Sequence, residues 1–240
     1  MSLPPVHRGG GGFGPENTLR ALRGALDFGV EMVETDVRMT GDGVPVIHHG
    51  PFLGLRLISR MSVAELKEAA PEVPTLREYL EEAACRVSLN LEIKRCNPEV
   101  LAGLLGEFPF PNPPLISSFD ASFLAAFRRT AYRAPLGLLD QYEPAKNRLY
   151  RKALECGASV ILPFFLGVDR ELVAEAHREG LRVIAWTVNA TAALRSLIQW
   201  GIDGAITDDY PRLSSFLVKE YHAAAVPDAR SWALLEDLES

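Results

Sequence analysis

Short runs rich in apolar and β-branched residues alternate with stretches of helical periodicity along the chain, and this alternation constrains the fold more than any other feature. The candidate strands are 3–8, 31–37, 87–94, 114–118, 135–139, 159–163, 182–188 and 204–207. Candidate helices lie near 16–28, 75–84, 98–107, 121–130, 144–156, 169–179, 190–200 and 211–221. Regular strand–helix alternation specifies a parallel sheet wrapped in helices, because parallel neighbours need a crossover between them. Eight such units in 240 residues match an α/β fold, the compact TIM (β/α)8 barrel. No tandem repeat or composition break marks a linker, so residues 1–240 read as a single domain.

One extended run, VPVIHH at 44–49, is left over from that count. Thr40-Gly41-Asp42-Gly43 joins it to the second strand, and this turn signal predicts a β-hairpin extension after that strand. A turn centred between Gly41 and Asp42 sets His49 directly across from Glu34 on a shared face.

Period-two alternation gives the strands their chemistry. In MVETDV, Glu34 and Asp36 share one face, while Val33, Thr35 and Val37 share the other. In SLNLEIK, Asn90, Glu92 and Lys94 point together, and Leu89, Leu91 and Ile93 point oppositely. Near the C-terminal ends of barrel strands such polar faces line the mouth where active sites form. Three converging carboxylates repel one another in a pocket of low dielectric unless a cation neutralises them. Glu34, Asp36 and Glu92 are therefore candidate metal ligands, and an all-carboxylate set favours a hard ion, Mg²⁺ or Ca²⁺, over Zn²⁺.

His7 and Arg8 end the first strand and face the same mouth. The glycines at 9–12 allow backbone to approach a ligand, and Pro15 suits a first helical turn, whose free N–H groups favour an anion. There is no GK[ST] of a P-loop and no G-x-G-x-x-G after a strand. Two imidazoles, His7 and His49, beside a divalent ion and two cations, Arg8 and Lys94, suit cleavage of a phosphodiester. One imidazole takes a proton from the nucleophile and the other protonates the leaving alkoxide. Trp186, at the end of the seventh strand, and Phe119, after the fourth, are candidates to wall the substrate pocket. Alternation turns His48 to the opposite face from His49, while His177 and His222 read as solvated helix residues.

A net charge of −6 provides no basic field for nucleic acid or an anionic membrane surface, and no amphipathic docking segment is evident, so neither nucleic-acid binding nor stable membrane association is expected. MSLPPVHRG has neither the basic nor the apolar region of a signal peptide, and the longest apolar runs fall well short of the ~20 residues of a membrane span. The expected location is cytoplasmic. Cys85, Cys96 and Cys156 lack CxxC spacing and read as small buried or incidental residues.

Taken together, HRGGGGFGPENTLRAL, GVEMVETDVRMTGDGVPVIHHG and LNLEIK resemble the glycerophosphodiester phosphodiesterase family, a TIM-barrel group related to the phosphatidylinositol phospholipases C. SSFD, WTVN and GIDGAITDDYP resemble that family's closing strands, which extends the match over about residues 3 to 213. The resemblance implies an acid/base pair in His7 and His49, metal ligation by Glu34, Asp36 and Glu92, and phosphate contacts from Arg8 and Lys94. It implies a small-molecule glycerophosphodiester as substrate, hydrolysed to sn-glycerol 3-phosphate and an alcohol. A catalytically silent barrel that binds phosphorylated ligands, and a phospholipase-like activity on another diester, are the alternatives. Gly50 stands where the family usually has Asp directly after the second histidine, and the 51–74 segment is short. Loss of that carboxylate bears on the orientation of the loop and a supporting hydrogen bond, and the short segment implies a more open mouth with looser leaving-group selection.

Overall fold

The computed structural model describes residues 5–141 and 146–221. The tail from 222 onward, with His222, and the first residues of the predicted 3–8 strand and 144–156 helix lie outside the described residues. In chain order the elements begin with α1 (Leu19–Phe28), β1 (Met32–Met39) and β2 (Pro45–Ile47). A small excursion follows, made of β3 (Phe52–Leu53), β4 (Arg56–Leu57) and α2 (Val63–Ala69), and leads into α3 (Leu76–Ala83). Strand–helix pairs then succeed one another: β5 (Ser88–Ile93) and α4 (Pro98–Leu105), β6 (Leu115–Ser118) and α5 (Ala121–Arg128), β7 (Leu136–Asp140) and α6 (Lys146–Glu155). The chain continues with β8 (Val160–Pro163) and α7 (Arg170–Arg178), β9 (Arg182–Ala185) and α8 (Thr191–Trp200), β10 (Gly204–Ala205) and α9 (Tyr210–Tyr221).

The sheet runs β10-β9-β8-β7-β6-β5-β1-β2, with every pairing parallel except β1 with β2. Val6 closes the ring by bridging Val33 of β1 on one side and Thr207, just past β10, on the other. Among the described residues, the predicted first strand is thus reduced to one bridging residue. Its backbone still serves both neighbours: Val6 N–H donates to Met32 O, and His7 N–H donates to Thr207 O. Eight staves result, and each inter-stave connection carries at least one helix, which is the TIM barrel.

Three apolar clusters hold this frame. Met32, Leu115, Leu139, Val160, Leu162, Ile184 and Ile206 fill the barrel interior, with Trp186 packed on them. The largest core lies between strands and helices and includes Val33, Val37, Leu91, Ile116, Leu138 and Ile161. Val46, Ile58, Met61, Leu66, Ala70 and Val73 form a separate small core beneath the excursion. Helix α2 is absent from the sequence expectation because it spans only seven residues and buries only Leu66, too little for a helical stripe to stand out. Among the described residues, no helix is long and apolar enough to cross a membrane.

The hairpin register differs from expectation by one residue. Val37 pairs with Ile47, and Met39 pairs with Pro45. The loop is therefore Gly41-Asp42-Gly43, closed by Thr40 N–H to Val44 O, with Gly43 in the left-handed region at φ +83°. A three-residue hairpin with glycine at its last position is a standard alternative to the two-residue turn, and it moves every pair by one. His49 is consequently not across from Glu34; His48 N–H instead donates to Asp36 O, where the ladder ends.

Candidate active site

Adjacent strands bring the carboxylates together. In the parallel pairing of β1 and β5, Glu34 faces Asn90, and Asp36 faces Glu92. Glu34, Asp36 and Glu92 are all buried and can each offer an oxygen such that the three lie within 4.8 Å of one another. Burial, reinforced by the negative charge of Asp36, pushes the Glu34 carboxyl far above the usual range, and burial raises Glu92 as well. Glu34 Oε1 has no hydrogen-bond partner. A buried acid with an orphaned oxygen, next to two others, is a donor set that a hard divalent cation would satisfy, so the residues present fit such an ion.

Polar partners orient each carboxylate. Arg8 N–H donates to Glu34 Oε2 at 2.8 Å, and Asn17 Nδ2 donates to Asp36 Oδ2 at 2.9 Å. Asn17 in turn accepts from the Thr35 hydroxyl at 2.7 Å, which fixes its amide orientation. Lys94 pairs with Glu92 and stands 3.3 Å from Asp36. Asn17 thus supports the carboxylate cluster. Thr18 is the actual cap of α1, its side chain accepting from Ala21 N–H. Pro15 accordingly precedes the helix rather than opening its first turn.

The glycine run has a structural cause. A Cβ on Gly10 would stand 2.8 Å from Ala21 O, and one on Gly12 would stand 2.8 Å from Asp208 O. These positions let the loop lie against α1 and the β10–α9 connection; protein backbone, not a ligand, demands them.

The two histidines occupy opposite electrostatic situations. His7 Nδ1 hydrogen-bonds Asp208 Oδ1 at 2.6 Å, leaving Nε2 on the carboxylate side, 3.9 Å from Glu34. Burial disfavours the charged ring, but Asp208 and Glu34 outweigh it and hold the His7 pKa above the ordinary value. At His49, burial wins, aided by Arg8 and Lys94 against Asp36, and the pKa is held low. Arg8 Nη2 lies 3.2 Å from His49 Nε2. A guanidinium can only donate, so this nitrogen is the acceptor of a neutral ring. Arg38 fixes the backbone by donating from Nε and Nη2 to His49 O at 2.9 and 2.8 Å. These bonds bring His49 to the site after strand alternation has ended at Ile47.

Arg8 is shared between His49 and Glu16, 2.8 Å from Nη1, and its Nε is buried without a hydrogen-bond partner. His7, Arg8, Glu34, Asp36, His49, Glu92 and Lys94 thus form one continuous network at the barrel mouth. Trp186 stands beyond it, joined through Phe119, whose ring centroid is 5.7 Å from Lys94 Nζ and 5.6 Å from the Trp186 ring. At Gly50 an added Cβ would meet nothing nearer than His48 Cε1 at 3.6 Å, so the position has room for a side chain.

Asp208, Asn17 and Arg38 are the contributors that sequence reasoning missed. Asp208 lies 201 positions from His7. Its signal was the acidic pair Asp208-Asp209 directly after the last strand, at the end of the barrel where the mouth forms. His177 does not belong to the site: its Nε2 pairs with Asp203 at 2.9 Å on the surface.

A model described as the glycerophosphoryl diester phosphodiesterase family matches residues 7–211. A glycerophosphodiester phosphodiesterase of Caldanaerobacter subterraneus subsp. tengcongensis is 29% identical over 241 residues, covering 91% of this chain and 98% of the relative. A solved Oleispira antarctica phosphodiesterase, in complex with the product sn-glycerol-3-phosphate, is 28% identical with a TM-score of 0.80, covering 89% of this chain and 96% of the other. A glycerophosphodiester phosphodiesterase of Thermotoga maritima is 25% identical with a TM-score of 0.76, covering 90% and 98% respectively.

Proposed function

The chain belongs to the glycerophosphoryl diester phosphodiesterase family, and on that premise we propose that it hydrolyses small glycerophosphodiesters to sn-glycerol 3-phosphate and an alcohol, using His7 and His49 as its acid/base pair. The observation that carries this reading is the pairing of one imidazole whose pKa is raised with one whose pKa is lowered around one buried three-carboxylate cluster, with two cations beside it. A phosphate-binding barrel without turnover has no need of that asymmetry.

In the proposed mechanism Arg8 and Lys94 hold the phosphoryl oxygens. A phosphate competes for the Arg8 guanidinium and draws it from His49, freeing Nε2. His49 then removes the proton from the attacking oxygen, of water or of the neighbouring glycerol hydroxyl, and His7 donates its Nε2 proton to the departing alkoxide; on the hydroxyl route water then opens the resulting cyclic phosphate, with the two imidazoles exchanging roles. Asp208 orients His7 and raises its pKa. Mg²⁺ or Ca²⁺ held by Glu34, Asp36 and Glu92 would offset charge on the phosphoryl oxygens. Trp186 walls the substrate side of the pocket.

Product analysis with glycerophosphocholine tests the proposal. The expected products are sn-glycerol 3-phosphate and choline, with turnover falling about 10²- to 10⁴-fold in His7→Ala and His49→Ala. Release of phosphocholine would put cleavage at the wrong ester bond, and unchanged turnover in both variants would remove the histidines from the mechanism.

A further inference from the structure

The end of β1 carries more positive charge than one scissile phosphate uses. Arg38 lies two residues past Asp36, so strand alternation sets it on the face that Glu34 and Asp36 share. It donates to His49 O from Nε and Nη2, while its Nη1 makes no hydrogen bond among the described residues. On the neighbouring strand, Lys94 N–H and Arg95 N–H both donate to Val37 O, at 3.0 and 3.4 Å, which starts the Arg95 side chain beside Arg38. Arg95 is exposed, and its side chain forms no hydrogen bond or ion pair among the described residues. Its charge is felt at Arg38: burial lowers the Arg38 pKa, and Arg95 adds to that effect, against the pull of Asp36 and Glu92.

Two neighbouring guanidiniums without a carboxylate of their own form a place for an anion. Asp36 and Glu92 do not fill it, because both already face Lys94. Gly50, directly after the carbonyl that Arg38 holds, brings no charge and leaves space, with nothing closer to an added Cβ than His48 Cε1 at 3.6 Å. Arg8 reaches Nε2 of His49 and Arg38 reaches the carbonyl of the same residue, so the two cation groups stand at opposite ends of one histidine. A glycerol between two phosphates can span that interval. We propose that Arg38, through its free Nη1, and Arg95 form a second anion subsite beside His49, which takes a phosphate one glycerol removed from the scissile one. The preferred substrates are then glycerol-bridged diesters that carry two phosphates. The chain's net charge of −6 gives a more anionic substrate no general advantage, so such a preference is local to these residues. The inference rests on the proposed function, since the scissile phosphate held by Arg8 and Lys94 is what sets the second one beside His49.

Two readouts at low ionic strength test it. The first is the affinity of propane-1,3-diyl bisphosphate against propyl phosphate, measured calorimetrically without turnover. The second is kcat/KM for bis(glycerophospho)glycerol against glycerophosphoglycerol. Two equivalent ends give the longer member of each pair a statistical factor of about two, and pairing with two partly exposed cations should add about fivefold. The added preference should shrink as salt is raised, vanish in Arg95→Gln and reverse in Arg95→Glu. Because Arg95 is exposed, neither substitution disturbs the core, and the ratio within each variant is its own control. A ratio no larger than the statistical factor, or a preference that survives Arg95→Gln and Arg95→Glu, would overturn the inference. A binding preference without turnover of either diester would count against the hydrolytic function while supporting the subsite. Turnover of both diesters at the statistical ratio would do the reverse.

Discussion

His7 and His49 belong to one side-chain network but differ in electrostatic environment, and the proposed roles follow from that difference. In the proposed mechanism the ring whose pKa is raised by Asp208 and Glu34 donates to the leaving alkoxide, and the one whose pKa is lowered by burial and two cations accepts. A substrate with a p-nitrophenolate leaving group needs no acid. His7→Ala should therefore recover much of its activity on p-nitrophenyl glycerol phosphate, whereas His49→Ala should be impaired on both substrates. Comparing the two variants on the two substrates checks the assignment, and equal losses everywhere would reverse it. Asp208→Asn keeps the shape but removes the charge that raises His7. In the proposed mechanism His7 acts while protonated, so activity would be lost as pH rises through its pKa, and lowering that pKa should move the alkaline limb of kcat/KM to lower pH. The expected loss of rate is roughly 10- to 100-fold, as for other residues that orient a functional side chain. A merely structural role for Asp208 would lower the rate and leave the limb in place.

At the scale of elements, the route from β1 to α3 decides where His49 sits. Ile47 N–H donates to Pro74 O, and Val46 bridges Thr75, so the start of α3 anchors the return of the hairpin. Thr75 and Glu78 close a capping box there, with Lys67 of α2 pairing to Glu78. Thr75→Ala should cost about 1 kcal/mol of stability, seen as a lower denaturant midpoint with an unchanged slope. The eight-stave frame and the longer helices were legible because strand and helix periodicity are local, whereas the seven-residue α2 was too short to show one. Glu34, Asp36 and Glu92 were legible for the same reason, since alternation within one strand is a local property. The hairpin register was not, because two-residue and three-residue loops both fit Thr-Gly-Asp-Gly, and only the left-handed Gly43 decides between them. Asp208 and Arg38 escaped notice because their roles arise from barrel closure and from a bend after β2, neither of which leaves a periodic trace.

At the scale of the whole molecule, the barrel closes through Val6, and the residue after it is His7, so completing the fold and completing the site are one event. The carboxylates of β1 and β5 store repulsion that a bound cation would relieve. Adding Mg²⁺ or Ca²⁺ to metal-stripped protein should therefore raise its melting temperature. The stabilisation is about 2.7 kcal/mol when the ion is at a hundred times its Kd, and Glu34→Gln should reduce it. The most direct test of the account is the initial rate of sn-glycerol 3-phosphate release from glycerophosphocholine by metal-stripped protein, measured as Mg²⁺ or Ca²⁺ is restored. Negligible release without metal and saturable recovery with one of the two ions are expected; full turnover by the stripped protein, unchanged on adding either ion, would rule out a metal role for Glu34, Asp36 and Glu92.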